Sequence, residues 1–374
     1  MSNAMDQATQ GRLIGRSRIE DLVIVPLFAF AAALILGALV MVATGVSPTT
    51  VVQSYAALVR GSVGSINALS ETLTAAAPLV LAGLGLALGF RAGLFNIGAE
   101  GQVIMGGLAA VVAGVSLADF PAIVALPGAV LAGALAGAFY AGIAGWLRAA
   151  TGAHEVISTI MLNLISYRLL DYLLRTPLIQ KEGRADPISK SVPDVAELPK
   201  LLTFLDPNLR LHAGVFLMLA MVVVAYWLLF RSKLGFEFRA SGENSVAARF
   251  AGMNAGLTIV MAMGLAGGLA GLAGANQVLG VLDRATPGFS AGIGFDAIAV
   301  ALLGRSHPVG VLFAGLLFGA LEAGGRQMQV DAGVSIDLIG IIQALIIVFI
   351  AAPLLVRALF PWGFQKERSK ADSQ

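Results

Sequence analysis

The stretch TLTAAAPLVLAGLGLALGF, residues 72–90, contains no charged side chain, and its only polar side chains are two threonines near its start. A helix rises about 1.5 Å per residue, so roughly 20 apolar residues are needed to cross the hydrocarbon layer of a membrane. The stretch has about that length, and its glycines suit helices that pack closely on one another. It therefore predicts a membrane-spanning helix.

The composition extends this prediction to the whole chain. Of its 374 residues 57% are hydrophobic and 12% are charged, and the mean hydropathy is +0.85. A soluble domain carries about 25% charged residues, so the composition excludes a soluble globular enzyme, a disordered chain and a nucleic-acid-binding protein. The chain has no cysteine and its three histidines lie far apart in sequence, so no metal site is predicted.

Ten apolar segments predict an all-α polytopic membrane protein with about ten transmembrane helices. They are residues 22–43, 72–90, 94–116, 122–147, 155–175, 213–230, 257–281, 291–304, 308–326 and 335–358. The segment 291–304 is short and begins in Gly/Pro-rich sequence, so it is either a full span or a broken, re-entrant element.

The placement of Lys and Arg residues predicts the orientation. Most of them fall in segments that successive spans place on the same side as the N-terminus, which predicts both termini in the cytoplasm. The predicted tails are residues 1–21, whose first four resemble an expression-tag remnant, and 359–374, on either side of one transmembrane domain, 22–358. An outer Pro-rich loop, 176–212, and an inner loop, 231–256, interrupt this domain.

Polar side chains inside the apolar segments are the candidate pathway residues. A charged group at the bilayer centre costs about 2.5–3.5 kcal/mol, so these groups face either a wet pathway for a polar solute or partners on other helices. The candidates are Asn96, Glu100, Gln102, Asn163 and Asp296.

A short internal echo suggests two related halves. The sequence IGAE at 97–100 resembles IGFD at 293–296, and each follows a glycine-rich segment. Transporters are often built from inverted repeats, although four residues in Gly/Ala-rich sequence also match by chance.

Three blocks in order resemble a known family. GLFNIGAEGQV (93–103), AHEVISTIMLN (153–163) and GFDAIAVALLG (294–304) are similar to motifs of permease subunits of bacterial ATP-binding-cassette importers, in the branch for nucleosides and simple, ribose-type sugars. The chain carries no Walker A motif. The resemblance implies no cofactor in this chain, with ATP and Mg²⁺ bound by a separate ATPase subunit.

The inner loop carries a fourth match. Its pattern Glu243, Ala247, Ala248 and Gly252 resembles the coupling motif of importer permeases, where a short helix docks into a groove of the ATPase. We expect Gly242 to form a turn, Glu243 and Asn244 to begin a helix over 245–250, and Gly252 and Asn254 to end it. Small alanines would let one helix face enter the groove, while Arg239, Glu243 and Arg249 would make contacts at its rim.

The resemblance also implies the remaining partners and the location. These are an extracytoplasmic substrate-binding lipoprotein, a second permease that is often a different homologue, membrane lipid, and the bacterial cytoplasmic (inner) membrane. Nucleosides are the first expectation for the substrate and simple sugars the second. An ion-coupled secondary transporter using Glu100 and Asp296 is the alternative class.

Overall fold

A computed structural model describes residues 25–177, 179–335 and 337–351. Over these residues the structure contains helices but no β-strand, as the composition predicts. Thirteen α-helices follow in chain order: α1 Val25–Ala43, α2 Pro48–Val63, α3 Ile66–Arg91, α4 Ala99–Ser116, α5 Ala122–Thr151, α6 Glu155–Leu173, α7 Gly214–Arg231, α8 Lys233–Glu243, α9 Ser245–Phe250, α10 Ala255–Gln277, α11 Ile293–Leu303, α12 Pro308–Ala332 and α13 Asp337–Ala351.

Seven of the described helices are long and apolar enough to cross a membrane, namely α3 to α7, α10 with its extension to Leu282, and α12. Each of the ten predicted segments overlaps an α-helix in its described residues. The predicted tails, 1–21 and 359–374, lie outside the described residues.

The structure differs from the prediction at several helix ends and in three segments. Helix α2 was not expected, because Thr49, Thr50, Gln53 and Ser54 interrupt its apolar pattern. The segment predicted at 94–116 begins its helix only at Ala99, since residues 92–98 form an irregular break. The segment predicted at 291–304 is an eleven-residue helix, α11.

The contacts divide the chain into two compact units. In the unit made of Met1–Val59 and Gly325–Gln374, α1 packs against α13, and the Tyr55 hydroxyl donates a hydrogen bond to the Leu34 carbonyl at 2.5 Å. The unit Arg60–Gly324 holds all the candidate site residues.

Helices α4, α5 and α10 cross in the larger unit through glycines. Gly106 of α4 lies against Gly271 of α10, and Gly271 lies against the carbonyl oxygen of Gly133 in α5. A methyl group at Gly106 or Gly271 would overlap backbone atoms of the neighbouring helix, and one at Gly133 would overlap the Ala275 side chain. Gly137, Gly267 and Gly274 make similar close contacts. We call these six glycines together the glycine spine.

Replacing Gly271 by alanine tests the spine. The added methyl would overlap the Gly133 carbonyl oxygen, so we expect a loss of about 1–3 kcal/mol in stability, as for overpacked cores. Gly264→Ala, on the same helix, is the matched control, because its Cβ would lie 3.8 Å from the Ala138 oxygen. Thermal unfolding in detergent measures the stability of both variants. Equal unfolding temperatures for the two would contradict the close packing at Gly271.

The loop predicted at 176–212 packs as an irregular cap. Its backbone follows the connection between α10 and α11: the Val192 amide donates to the Asp283 carbonyl at 2.8 Å, and the Leu198 amide to the Leu279 carbonyl at 2.8 Å. The Leu211 amide donates to the Ser70 hydroxyl of α3 at 2.9 Å. These bonds tie the cap to both α3 and the end of α10.

Candidate functional site

Two interrupted helices bring the echoed motifs together. Residues 92–98 separate α3 from α4, and a π-helical turn, Val278–Leu282, with a loop separates α10 from α11. Gly294, at the start of α11, packs against the backbone of Ala99 and Glu100 at the start of α4, where a side chain would overlap that backbone. The two helix starts therefore meet inside the unit. That the two halves form an inverted repeat stays a prediction.

Glu100 joins the N-terminal ends of α4 and α11. Its side chain is 1% exposed. One carboxylate oxygen accepts the Ser290 hydroxyl at 2.5 Å and the Tyr167 hydroxyl at 3.3 Å, and the other accepts the Gly294 amide at 2.8 Å. A carboxylate at the N-terminus of a helix satisfies free amide groups and complements the helix dipole. Glu100 thus holds α4, α6 and α11 to one another.

Asn163 supports the start of α4 from α6. Its side-chain oxygen accepts the Gly101 amide at 2.8 Å, and its amide group donates to the Ile97 carbonyl at 2.9 Å. The first amides of a helix have no partner within the helix. A side chain from another helix supplies one here, so the break at 92–98 is braced from outside.

Asn96 and Gln102 form a reciprocal amide pair across the same break. Asn96 donates to Gln102 at 3.0 Å and accepts from it at 3.1 Å, and the Asn96 oxygen also accepts the Gly98 amide at 2.8 Å. Both side chains are buried. Because the two side chains bind each other and the Gly98 amide, the pair holds the shape of the break.

The structure thus brings four of the five predicted pathway residues together as buried groups, whereas the fifth, Asp296, is exposed. Asp296 lies in the first turn of α11 and is exposed, next to the partly exposed Phe295. A second exposed phenylalanine, Phe95, lies in the other break. The lining of a solute pathway by any of these residues stays a prediction.

The inner loop contains two helices where one was expected. Residues 233–243 form α8, so Gly242 lies in the last turn of a helix and not in the predicted turn. Gly242 contacts the Arg91 carbonyl oxygen, and Gly93, with φ +72°, lies against it from the break. The absence of a side chain at Gly242 lets α8 touch the break directly, which the turn interpretation missed.

Helix α9 occupies the predicted range, 245–250. The Asn244 side chain accepts the Ala247 amide at 2.9 Å and caps α9, whereas Glu243 ends α8. Gly252, with φ +86°, lies in the turn after α9, as expected. Asn254 does not end α9; its side chain accepts the Leu257 amide and caps α10.

The exposed face of α9 is apolar. Val246 is 62% exposed and Phe250 is 90% exposed, and their spacing of four residues places them on one face. Ala248 is buried beneath them, whereas Ala247 and Arg249 are exposed. Sequence reasoning missed Val246 and Phe250, although two apolar residues four apart in a polar loop were a visible signal.

Arg239 is partly buried and packs against an aromatic ring, and its contact with a partner stays a prediction. Its guanidinium lies 5.4 Å from the centre of the Phe230 ring, and Arg91 lies 6.0 Å from the same ring. Arg91 also donates to the Ser306 carbonyl at 3.0 Å. Burial, together with the charge of Arg91, lowers the pKa of His307, whose ring lies 5.2 Å from Phe230. This stack links the ends of α3 and α7 with α8 and the turn before α12.

No cluster of His, Cys, Asp or Glu that could hold a metal ion occurs among the described residues. The geometry defines a class: a multi-pass membrane protein whose interrupted helices meet at buried polar groups beside a surface-exposed helical loop.

Comparison with known proteins identifies the family within this class. Residues 68–351 match the family described as the branched-chain amino acid transport system / permease component, and the chain belongs to this family. It is an importer permease of the ATP-binding-cassette type, a transport subunit, as the motifs predicted.

Curated relatives cover nearly the whole chain. It is 39% identical to the guanosine ABC transporter permease protein NupP of Bacillus subtilis, over 89% of this chain and 94% of the relative. It is 39% identical to the glucose ABC transporter permease protein TsgB13 of Haloferax volcanii (87% and 86% covered). It is 34% identical to the nucleoside ABC transporter permease protein NupB of Lactococcus lactis (91% and 93% covered). No solved structure matches significantly.

Proposed function

We propose that this chain is one permease subunit of an ATP-driven, binding-protein-dependent nucleoside importer in the bacterial cytoplasmic membrane, with both termini in the cytoplasm. The observation that carries the proposal is the inner loop. Helix α9 presents Val246 and Phe250 to solvent, and α8 rests through Gly242 on the Arg91 carbonyl at the α3–α4 break. An exposed docking surface and the α3–α4 break in the transmembrane core are thus directly connected.

The coupling step follows from these contacts. An ATPase subunit, which would bind ATP and Mg²⁺ itself, seats the exposed face of α9 in a groove. Covering exposed apolar side chains on a loop outside the membrane lowers the free energy, which favours docking. Movement of α9 is passed to α8, and from Gly242 to residues 91–93. The stack of Arg91 and Arg239 on Phe230 carries the same movement to the turn before α12.

In the solute pathway the buried residues and Asp296 have different roles. Asn96, Glu100, Gln102 and Asn163 position the two helix starts, because their polar atoms bind protein groups. Asp296 lines the pathway, since its side chain is exposed where the two starts meet. A few such contacts suffice when a separate extracytoplasmic lipoprotein selects the solute.

A second permease completes the pathway. The exposed face of α6 includes Arg168 together with Met161 and Ile165. An arginine facing lipid on a spanning helix is costly, so this face favours a protein partner. The partner is a homologous but different permease chain, and membrane lipid covers the remaining apolar surface.

The substrate is a nucleoside. Two of the relatives above are named for guanosine or nucleosides, which supports this assignment. TsgB13, named for glucose, keeps a simple sugar as the alternative. An ion-coupled secondary transporter is the less favoured class, because Glu100 is occupied by three hydrogen-bond donors.

Uptake by the reconstituted complex tests the substrate. We expect ATP-dependent uptake of labelled inosine by proteoliposomes that contain both permeases, the ATPase and the binding lipoprotein. Excess unlabelled guanosine should compete with inosine, whereas ribose should not. Ribose uptake without nucleoside uptake would establish the sugar alternative, and uptake driven by an ion gradient without ATP would overturn the importer class.

A further inference from the structure

A cavity of about 530 Å³ lies between the end of α5, the end of α9 and the start of α10. Its lining includes two arginines, Arg148 and Arg249, the helix-capping Asn254, and the apolar side chains of Met253 and Ile259, but no carboxylate. A cavity that combines two cations with a few apolar side chains suits an anion that is attached to a hydrocarbon group.

The two arginines reach the cavity in different ways. Arg148 pairs with the buried carboxylate of Glu155, which holds its guanidinium in place while the side chain stays 32% exposed. Arg249 is exposed at the end of α9, and the described residues form no ion pair with it. Because Glu155 neutralises only one of the two cations, the cavity keeps a positive charge.

Backbone amides add to this charge. The cavity lining includes Ala255 and Gly256, the first residues of α10, whose amide groups have no partner within the helix. The adjoining cavity of about 350 Å³ shares Arg148 and contains Ser241, whose hydroxyl is buried without a hydrogen-bond partner among the described residues; its lining also includes Glu243. Hydrogen-bond donors thus accompany Arg148 in the lining of both cavities.

An apolar path leads from the cavity along α5. Ala149 lines the cavity, and Trp146 and Gly142 precede it by three and seven residues, so all three share one helix face. Trp146 is 59% exposed, and nothing lies within 4 Å of the position of a Cβ at Gly142. Tryptophan is favoured at the interface between the membrane and water, which places the cavity at headgroup depth.

We propose that this cavity binds the headgroup phosphate of an anionic phospholipid, with an acyl chain lying along Trp146 and Gly142. Arg249 and Arg148 bind the phosphate, and the first amides of α10 complete the contact. Basic pockets between transmembrane helices on the cytoplasmic side bind such headgroups. The lipid would tether α9 to the end of α5, a role beyond the transport function proposed above.

Native mass spectrometry of the purified full chain tests the site. The chain is equilibrated with equal amounts of phosphatidylglycerol and phosphatidylcholine, and the lipids that remain bound are counted. We expect phosphatidylglycerol to be retained in preference to phosphatidylcholine, and Arg249→Gln to weaken its retention about fivefold. Gly256→Leu should remove retention, since its Cβ meets no atom closer than 3.6 Å and its side chain can fill the cavity.

Lys233→Gln is the matched control, because Lys233 lies on the same inner loop and lines neither cavity. Equal retention of the two lipids, or equal losses in Lys233→Gln and Arg249→Gln, would overturn the proposal. Displacement of phosphatidylglycerol by millimolar inorganic phosphate would assign the site to a free anion instead. The measurement uses neither the ATPase nor a substrate, so it stands or falls separately from the transport function.

Discussion

Phe250→Asp is expected to abolish uptake by the complex while leaving this chain folded. The Phe250 side chain is 90% exposed, so a charge there costs the isolated subunit little. In the docked complex the same charge would be buried in an apolar groove of the ATPase. Loss of a central anchor of an interface costs about 2 kcal/mol or more, so the affinity for the ATPase should fall roughly 30-fold.

Co-purification of the ATPase, together with inosine uptake, measures this effect. Phe250→Leu is the matched control, because it keeps an apolar side chain, and it should retain most of both activities. The amount of Phe250→Asp protein in the membrane should equal that of the unmodified chain. Full uptake by a correctly inserted Phe250→Asp protein would exclude α9 as the docking helix.

Glu100→Ala is expected to reduce both stability and transport. It removes the acceptor for the Gly294 amide and for the Ser290 and Tyr167 hydroxyls. A buried donor that loses its partner costs about 1–3 kcal/mol, so the loss of stability should reach about 3 kcal/mol or more. The starts of α4 and α11 would then separate, and uptake should cease.

Asp296→Ala distinguishes a residue that lines the solute pathway from one that positions the helix starts. Asp296 is exposed and lies two residues after Gly294, and no hydrogen bond joins it to Glu100 among the described residues, so its removal should leave thermal unfolding in detergent nearly unchanged. If Asp296 lines the pathway, uptake should change in rate or apparent affinity. Equal stability of Glu100→Ala and the unmodified chain would exclude the positioning role of Glu100, whereas unchanged uptake in Asp296→Ala would exclude the lining role.

Much of the fold could be predicted because hydrophobic length alone identifies membrane spans. The stretch 72–90 lies within α3, and the other nine apolar segments each overlap an α-helix in their described residues. Helix α2 could not be found this way, because its polar residues lower its hydropathy to that of a loop. The end of α10 and the start of α11 depend on a π-helical turn and on its hydrogen bonds to the loop 176–212. Neither feature has a local sequence signal.

The site was predicted as a set of residues but not as an arrangement. Buried polar side chains in apolar segments identified Glu100 and Asn163, because an unpaired polar group there is costly. Their partners could not be predicted, since Ser290 lies 190 residues from Glu100 and pairs with it only through tertiary packing. Gly242 was misread for a related reason: glycine indicates a turn locally, while close contact with another chain segment becomes visible only in three dimensions.

The glycine spine restricts how such a subunit can change shape during a transport cycle. Where α4, α5 and α10 cross, backbone meets backbone, and there are no side chains whose rotamers could change to let the helices slide. The three helices must therefore move as one rigid body. Any change of shape must then be taken up where these three helices join the rest of the subunit, at residues 92–98, 152–154, 251–254 and 278–292.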